Sequence, residues 1–166
     1  RVFVTTAISD SPQESPKKGL YFGGDRPAPR QATYRWEVLC LNRDDGKLLW
    51  QRVAVERKPS TSIHIKNSYA SETPVTDGER LYAYFGAAGL YAYDFDGELV
   101  WKKDLGSYKT RFGWGTASSP AIDGDRLFVQ NDNEEQSFLV AFDKRTGDEL
   151  WRVDRDEKSS WSTPFV

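Results

Sequence analysis

The chain has 166 residues, a formal net charge of −2 and an aromatic content of 14%. This charge provides no basic face for neutralising phosphates, so nucleic acid is excluded as an expected partner. No apolar run approaches the roughly 18 residues of a membrane-spanning helix, and the single Cys40 cannot form an internal disulfide. The sequence contains no Met and opens in a strand-like pattern at residues 1–4. We therefore expect it to be an excerpt of a longer protein.

One hairpin pattern occurs three times along the chain. In it a strand ends on Asp or Asn, a turn containing Gly follows, and a second strand ends on Trp. The three copies are residues 40–50, 92–101 and 141–151. Their tryptophans recur about every 50 residues, and a constant period of this size is typical of a repeat architecture.

A second recurring segment precedes two of these hairpins, at residues 73–84 and 119–129. It places Asp-Gly between two alternating apolar runs, which is a strong signal for a hairpin. Residues 163–166 repeat its beginning, and residues 1–4 align with its second half. Each complete unit therefore contains four strands, and no segment has the apolar period of a helix.

The sequence predicts an all-β fold, a β-propeller of four-stranded antiparallel blades within one domain. Blade one spans residues 1–55, lacks its first strand and carries an insertion at 7–33. Blades two and three span 71–104 and 117–154, and 162–166 form the first strand of blade four. About three blade-equivalents are fewer than the roughly four at which propellers close. We therefore expect an arc of a larger ring of seven or eight blades, whose remaining blades are partners.

The third hairpin resembles the tryptophan-docking motif of PQQ-like (pyrroloquinoline quinone) β-propeller repeats. Such repeats occur in quinoprotein dehydrogenases and in the outer-membrane assembly scaffold BamB. The residues that carry the resemblance are Ala141, Asp143, Thr146, Gly147 and Trp151, with Ala92, Asp94, Gly97 and Trp101 in the second copy and Trp50 in the first. The first copy departs from the motif, because Cys40 replaces the Ala and Asn42 replaces the Asp.

Strand parity predicts that the long connections share one face of the propeller. In a four-stranded meander, the turns after the first and third strands lie at one end and all other connections lie at the opposite end. The turns of the first class are short. The long segments, nearly all of the second class, are 7–33, 56–70, 104–117, 130–137 and 154–162. Long loops in compact domains are often functional, so this face is the predicted binding face.

Several residues on these loops have side chains suited to binding. They are His64, Lys66, Lys109, Arg111, Trp114, Asn131, Asp132, Asn133 and Glu134. Arg suits a carboxylate or phosphate, and Trp offers a flat stacking surface. Without a binding role, His64 would be a packed residue, Trp114 would pack near the ring axis, and the acidic loop at 131–136 would simply be solvated. The insertion is either a solvated loop or an arm that binds a partner.

Two classes of function remain open. The first is a non-catalytic scaffold that binds a protein, peptide or glycan on the loop-rich face, without a cofactor or metal site. The alternative, implied by the resemblance, is part of a PQQ-dependent dehydrogenase that oxidises an alcohol or sugar, with calcium held beside the quinone, for which the oxygen-rich 131–136 segment is a candidate. One Cys cannot form the vicinal pair common in quinoprotein alcohol dehydrogenases, and no carboxylate is identifiable as a general base. The blades could also merely complete a ring. The resemblance implies an extracytoplasmic location, in the periplasm or at the cell surface.

Overall fold

The computed structural model describes residues 1–12 and 28–166, and these form three antiparallel sheets. In every sheet the strands adjacent in sequence are hydrogen-bonded neighbours, so each sheet is a simple meander. The first sheet contains β1 (Val2–Ile8), β2 (Tyr34–Leu41) and β3 (Leu48–Arg57). The second contains β4 (Val75–Thr76), β5 (Arg80–Tyr84), β6 (Leu90–Asp94) and β7 (Leu99–Lys103). The third contains β8 (Ala121–Asp123), β9 (Arg126–Asn131), β10 (Ser137–Asp143) and β11 (Glu149–Arg155).

Strands of the first sheet extend beyond the predicted boundaries at two points. Strand β1 continues to Ile8, past the predicted start of the insertion, because its residues 7 and 8 pair with Trp36 and Arg35. Strand β3 ends at Arg57 rather than at residue 55. Residues 156–166 contain no strand, so a first strand of blade four stays a prediction. Residues 13–27 of the predicted insertion lie outside the described part of the chain.

The middle sheet packs on both of its faces, and the two-residue period of its strands explains how. Leu81 and Ala83 of β5 point into one core, which they share with Trp36 and Val38 of the first sheet. The intervening residues of β5 point into a second core, shared with Val129 and other residues of the third sheet. A strand buried on both faces reads as a continuous apolar run rather than as an alternation. The apolar sequence of β5 therefore reflects its central position.

The two ends of the sheets differ in their connections. At one end the strands are joined by short turns such as 42–47 and 95–98, whereas the long segments 58–74 and 104–120 meet at the other end. There the His64 N–H donates to the carbonyl oxygen of Trp114 at 3.0 Å, and the Glu134 N–H donates to that of Lys109 at 2.9 Å. We call this end the loop face and the opposite end the turn end. Across residues 1–12 and 28–166, no helix has the length and apolarity needed to cross a bilayer.

Candidate functional site

Two tryptophans each contact the turn of the next sheet. The indole N–H of Trp50 donates to the carbonyl oxygen of Phe95 at 2.8 Å, and that of Trp101 donates to Lys144 at 3.1 Å. A Cβ placed on Gly97 would lie 2.9 Å from the Trp50 ring, and one on Gly147 would lie 2.7 Å from the Trp101 ring. The glycines thus permit a contact that any side chain would obstruct.

The remaining motif residues shape the same hairpins. Ala92 and Ala141 are fully buried and lie opposite Trp101 and Trp151 in the strand register. The carboxylate of Asp143 accepts the N–H groups of Arg145 and Thr146, and these hydrogen bonds lower the pKa of Asp143. In the second hairpin, the Asp94 carboxylate accepts the N–H groups of Asp96 and Glu98 in the same way. The Trp151 ring is 38% exposed and contacts Phe128.

The turn end also contains an ion pair that sequence reasoning missed. Lys144 Nζ lies 3.0 Å from Asp77 Oδ2, and both side chains are largely buried. Burial opposes ionisation of Asp77, but the backbone N–H groups of Arg80 and Glu79 and the Lys144 ammonium outweigh it and lower the pKa of Asp77 to about 2. Because Lys144 and Asp77 belong to different sheets, no local sequence motif predicts that they pair.

An aromatic cluster occupies the loop face. The rings of His64 and Phe112 lie 5.2 and 5.3 Å from that of Trp114, measured between centroids. The Trp161 ring lies 5.7 Å from the same indole, tilted by 34°, and its N–H donates to the carbonyl oxygen of Gly115 at 2.8 Å. The predicted residues His64 and Trp114 are therefore brought together, and Phe112 and Trp161 join them from outside the predicted set.

The predicted cationic residues belong to the same two long segments as three of the four rings of this cluster. Lys66, Lys109 and Arg111 are exposed, and the Arg111 guanidinium lies 5.0 Å from the ring centre of Phe112. Phe112 is itself in the left-handed region, at φ +54°, which is uncommon for a bulky side chain. Backbone outliers of this kind often lie at functional sites.

A groove of about 550 Å³ opens beside the aromatic cluster. Its walls come from the two long segments between the sheets, with one residue before β2 and one between β9 and β10. The lining residues are Pro29, Ser60, Thr61, Ser62, Ser107, Tyr108, Lys109, Thr110, Phe112, Gly113 and Glu135. Its volume lies within the roughly 300–1,000 Å³ of small-molecule sites. Of the predicted binding residues, all of which lie in the described ranges, Lys109 alone lines the groove. The serines and threonines of its walls were not predicted, because single Ser and Thr residues in a loop give no sequence signal.

The oxygen-rich segment 131–136, which begins at the last residue of β9, is occupied by contacts within the chain. Asn131, Asp132 and Asn133 are 5%, 4% and 1% exposed. Asp132 pairs with the Arg155 guanidinium at 2.8 Å, and the resulting hydrogen bond raises the pKa of Arg155.

The other two side chains of this segment also have internal partners. The Asn133 amide donates to the carbonyl oxygen of Gln136 at 2.7 Å and accepts two backbone N–H groups. Glu134, which is less buried, accepts the hydroxyl and N–H of Ser159. Within the described ranges, no group of three or more His, Cys, Asp or Glu side chains is arranged to hold a metal. These residues give the loop its shape.

A buried acid, also missed from the sequence, lines a smaller cavity together with the groove residues Ser60 and Thr61. Glu72 is 3% exposed and accepts the hydroxyl of Thr116 at 2.5 Å. Burial raises its pKa to about 7, although the hydrogen bond from Thr116 opposes the shift. It lines a cavity of about 20 Å³ that also contacts Arg57.

The family of the chain follows from a comparison with family models. Residues 35–164 match the model described as outer membrane protein assembly factor BamB. The chain belongs to this family of PQQ-like repeats. No curated protein matches the chain in sequence. The family assignment confirms the resemblance inferred from the tryptophan hairpins.

Solved structures confirm the propeller fold. A quinohemoprotein alcohol dehydrogenase from Comamonas testosteroni matches with a TM-score of 0.53 and 15% identity, over 79% of this chain and 21% of that one. A europium-containing methanol dehydrogenase matches with a TM-score of 0.51 and 15% identity, over 78% and 22%. BamB from Moraxella catarrhalis is similar over 76% of this chain and 34% of that one, with a TM-score of 0.47 and 20% identity. The chain spans between about a fifth and a third of the length of these solved chains.

Proposed function

We propose that this BamB-like chain is a non-catalytic binding or assembly scaffold that engages its ligand through the loop face. The observation that supports this most is the 550 Å³ groove, which opens between two long segments beside exposed Lys109 and Phe112. Exposed aromatic and cationic side chains at a concave surface are typical of recognition sites. At the turn end, short turns of neighbouring sheets are joined by bonds such as the Lys144–Asp77 ion pair. We therefore propose that the turn end holds the sheets together rather than binding a ligand.

The family description also supports an extracytoplasmic role, because it names a factor for outer membrane protein assembly. We infer that the chain acts outside the cytoplasm with the remaining blades of its propeller. The ligand class is a protein, peptide or glycan. The alternative function is part of a PQQ-dependent dehydrogenase, in which the loop face would hold the quinone and calcium. The Asn131 amide donates to the Tyr84 hydroxyl at 3.0 Å, so the side chains of Asn131, Asp132 and Asn133 are all buried and bonded within the chain. This supports the scaffold, because a calcium ion would have to displace those bonds.

Site-directed photo-crosslinking tests the scaffold. A photoreactive phenylalanine analogue replaces Lys66 on the loop face or, as the matched control, Lys47 on an exposed turn at the other end, and the protein is irradiated in its source cells. We expect discrete adducts from position 66 and none from position 47. Adducts from position 47 alone, or from neither position, contradict the proposal.

A second measurement separates the scaffold from the dehydrogenase. PQQ and calcium are titrated into the protein while tryptophan fluorescence is recorded, and dye reduction is then assayed with primary alcohols and sugars. The scaffold predicts neither saturable quenching nor dye reduction. Saturable quenching together with alcohol- or sugar-dependent dye reduction replaces the scaffold with the dehydrogenase.

A further inference from the structure

The chemistry of the groove is dominated by hydroxyl groups. Of its eleven described lining residues, six carry a hydroxyl; these are Ser60, Thr61, Ser62, Ser107, Tyr108 and Thr110. The Ser60 and Ser107 hydroxyls are hydrogen-bonded to each other at 2.9 Å, which links the two walls. A hydroxyl can both donate and accept a hydrogen bond. Such walls therefore suit a ligand whose own groups do both.

The charges of the described groove residues balance. Lys109 and Glu135 contribute one cation and one anion, with Nζ and Oε1 3.9 Å apart, and the Glu135 carboxylate also accepts the Lys109 backbone N–H at 2.8 Å. An anionic ligand would meet the carboxylate, and a cationic ligand would meet the ammonium. The arrangement favours a neutral polar ligand, to which both groups offer hydrogen bonds.

An aromatic side chain completes the site. Phe112 is 37% exposed at the groove wall, and the turn that presents it has positive φ at Phe112, Gly113 and Gly115. The face of an aromatic ring carries partial negative charge, so it attracts the C–H groups on the apolar face of a sugar ring. A peptide that added a strand would instead need an exposed strand edge, whereas the walls at 60–62 and 107–113 are loops and one short 3₁₀ turn.

We propose that this groove binds a neutral saccharide, with its ring stacked on Phe112 and its hydroxyls bonded to the serine and threonine walls. The proposal deepens the scaffold function and rests on it, because it names the ligand class of the loop face. It makes Phe112 and Thr61 specificity-determining residues.

Binding to purified carbohydrates tests the assignment. The protein is applied to an array of neutral glucans, xylans, mannans, galactans and N-acetylglucosamine oligomers, and bound sugars are then titrated by calorimetry. We expect at least one to bind with a Kd of about 1 mM or tighter. Phe112→Asn removes the ring but retains a residue that tolerates positive φ, and should weaken binding about tenfold or more.

Two further variants control for folding and for nonspecific contact. Thr61→Val removes one hydroxyl at nearly constant shape and should weaken the same sugar about tenfold through one lost hydrogen bond. Phe165→Asn alters an aromatic residue that is 99% exposed and outside the groove, so it should leave the Kd unchanged. If Phe112→Asn fails to fold, Thr61→Val decides.

The outcomes distinguish the two proposals. No binding on the array, or wild-type affinity in Phe112→Asn and Thr61→Val, overturns the saccharide assignment. Peptide adducts from position 66 would then leave the scaffold standing with a protein ligand. If position 66 also gives no adducts, the scaffold is contradicted as well.

Discussion

Trp101 and Lys144 connect the second and third sheets at two points. The Trp101 indole N–H donates to the Lys144 carbonyl oxygen at 3.1 Å, while the Lys144 ammonium lies 3.0 Å from Asp77 of the second sheet. One turn residue therefore receives a hydrogen bond through its backbone and forms an ion pair through its side chain. These two contacts hold the second and third sheets together at the turn end.

The first prediction concerns the close approach of Gly147 to Trp101. Gly147→Ala should destabilise the fold by about 2 kcal/mol or more beyond the backbone cost, because its Cβ would lie 2.7 Å from the indole. Gly46→Ala is the matched control, with φ +71° against +75° but no atom within 4 Å. It should cost only about 1–2 kcal/mol, from the left-handed backbone. Urea unfolding of the two variants measures the difference, and equal costs would show that the indole contact contributes nothing.

The second prediction compares two tryptophans at the same repeat position. Trp101→Ala should cost about 3–5 kcal/mol, because the ring is 9% exposed and packs between sheets. Trp151→Ala should cost less than about 2 kcal/mol, since that ring is 38% exposed. Thermal unfolding of both variants tests the order. A larger loss for Trp151 would contradict the packing described for the two hairpins.

The third prediction is a pH dependence that arises from Glu72. Its pKa is raised from 4.5 to about 7 in the folded state, so the folded protein binds a proton that the unfolded chain releases. The contribution of Glu72 to the free energy of unfolding is therefore largest below pH 4.5. It falls by about 3 kcal/mol in total as the pH rises from 4.5 to about 7, and it is constant above that. Denaturant unfolding between pH 4 and 8 measures this slope.

Glu72→Gln should remove that slope, because the amide does not ionise. We expect the variant to be more stable than the wild type at pH 8 and to differ little from it at pH 4.5. Glu56→Gln replaces an exposed glutamate and should leave the slope intact. A slope that persists in Glu72→Gln would assign the titration to another group.

The fourth prediction concerns the loop after β9. Asn133→Ala should destabilise the protein by about 2–4 kcal/mol, because the buried amide bonds the carbonyl oxygen of Gln136 and two N–H groups that would lose their partner. Gln136→Ala alters an exposed side chain in the same loop and should change stability by less than about 0.5 kcal/mol. Unfolding should be unaffected by calcium in either case. Calcium-dependent stabilisation that Asn133→Ala abolishes would assign the segment to a metal instead.

The sequence alone determined the fold of this protein. The apolar alternation, the Asp-Gly turns and the tryptophans at residues 50, 101 and 151 are local signals, and each follows from the two-residue period of a strand or the backbone freedom of glycine. The same signals carried the family resemblance. They also predicted that the long connections share one end of the sheets, because strand parity depends only on element order.

Only the tertiary structure decided which side chains share a site. It placed Ser60 beside Ser107, Lys144 beside Asp77 and Trp161 beside Trp114, pairs that lie more than forty residues apart in the chain. It also showed that the oxygen atoms of Asp132 and Asn133, which resemble ligands in the sequence, are bonded within their own sheet. A residue type states which bonds a side chain can form, whereas the packing of sheets determines which partner is near enough to form them.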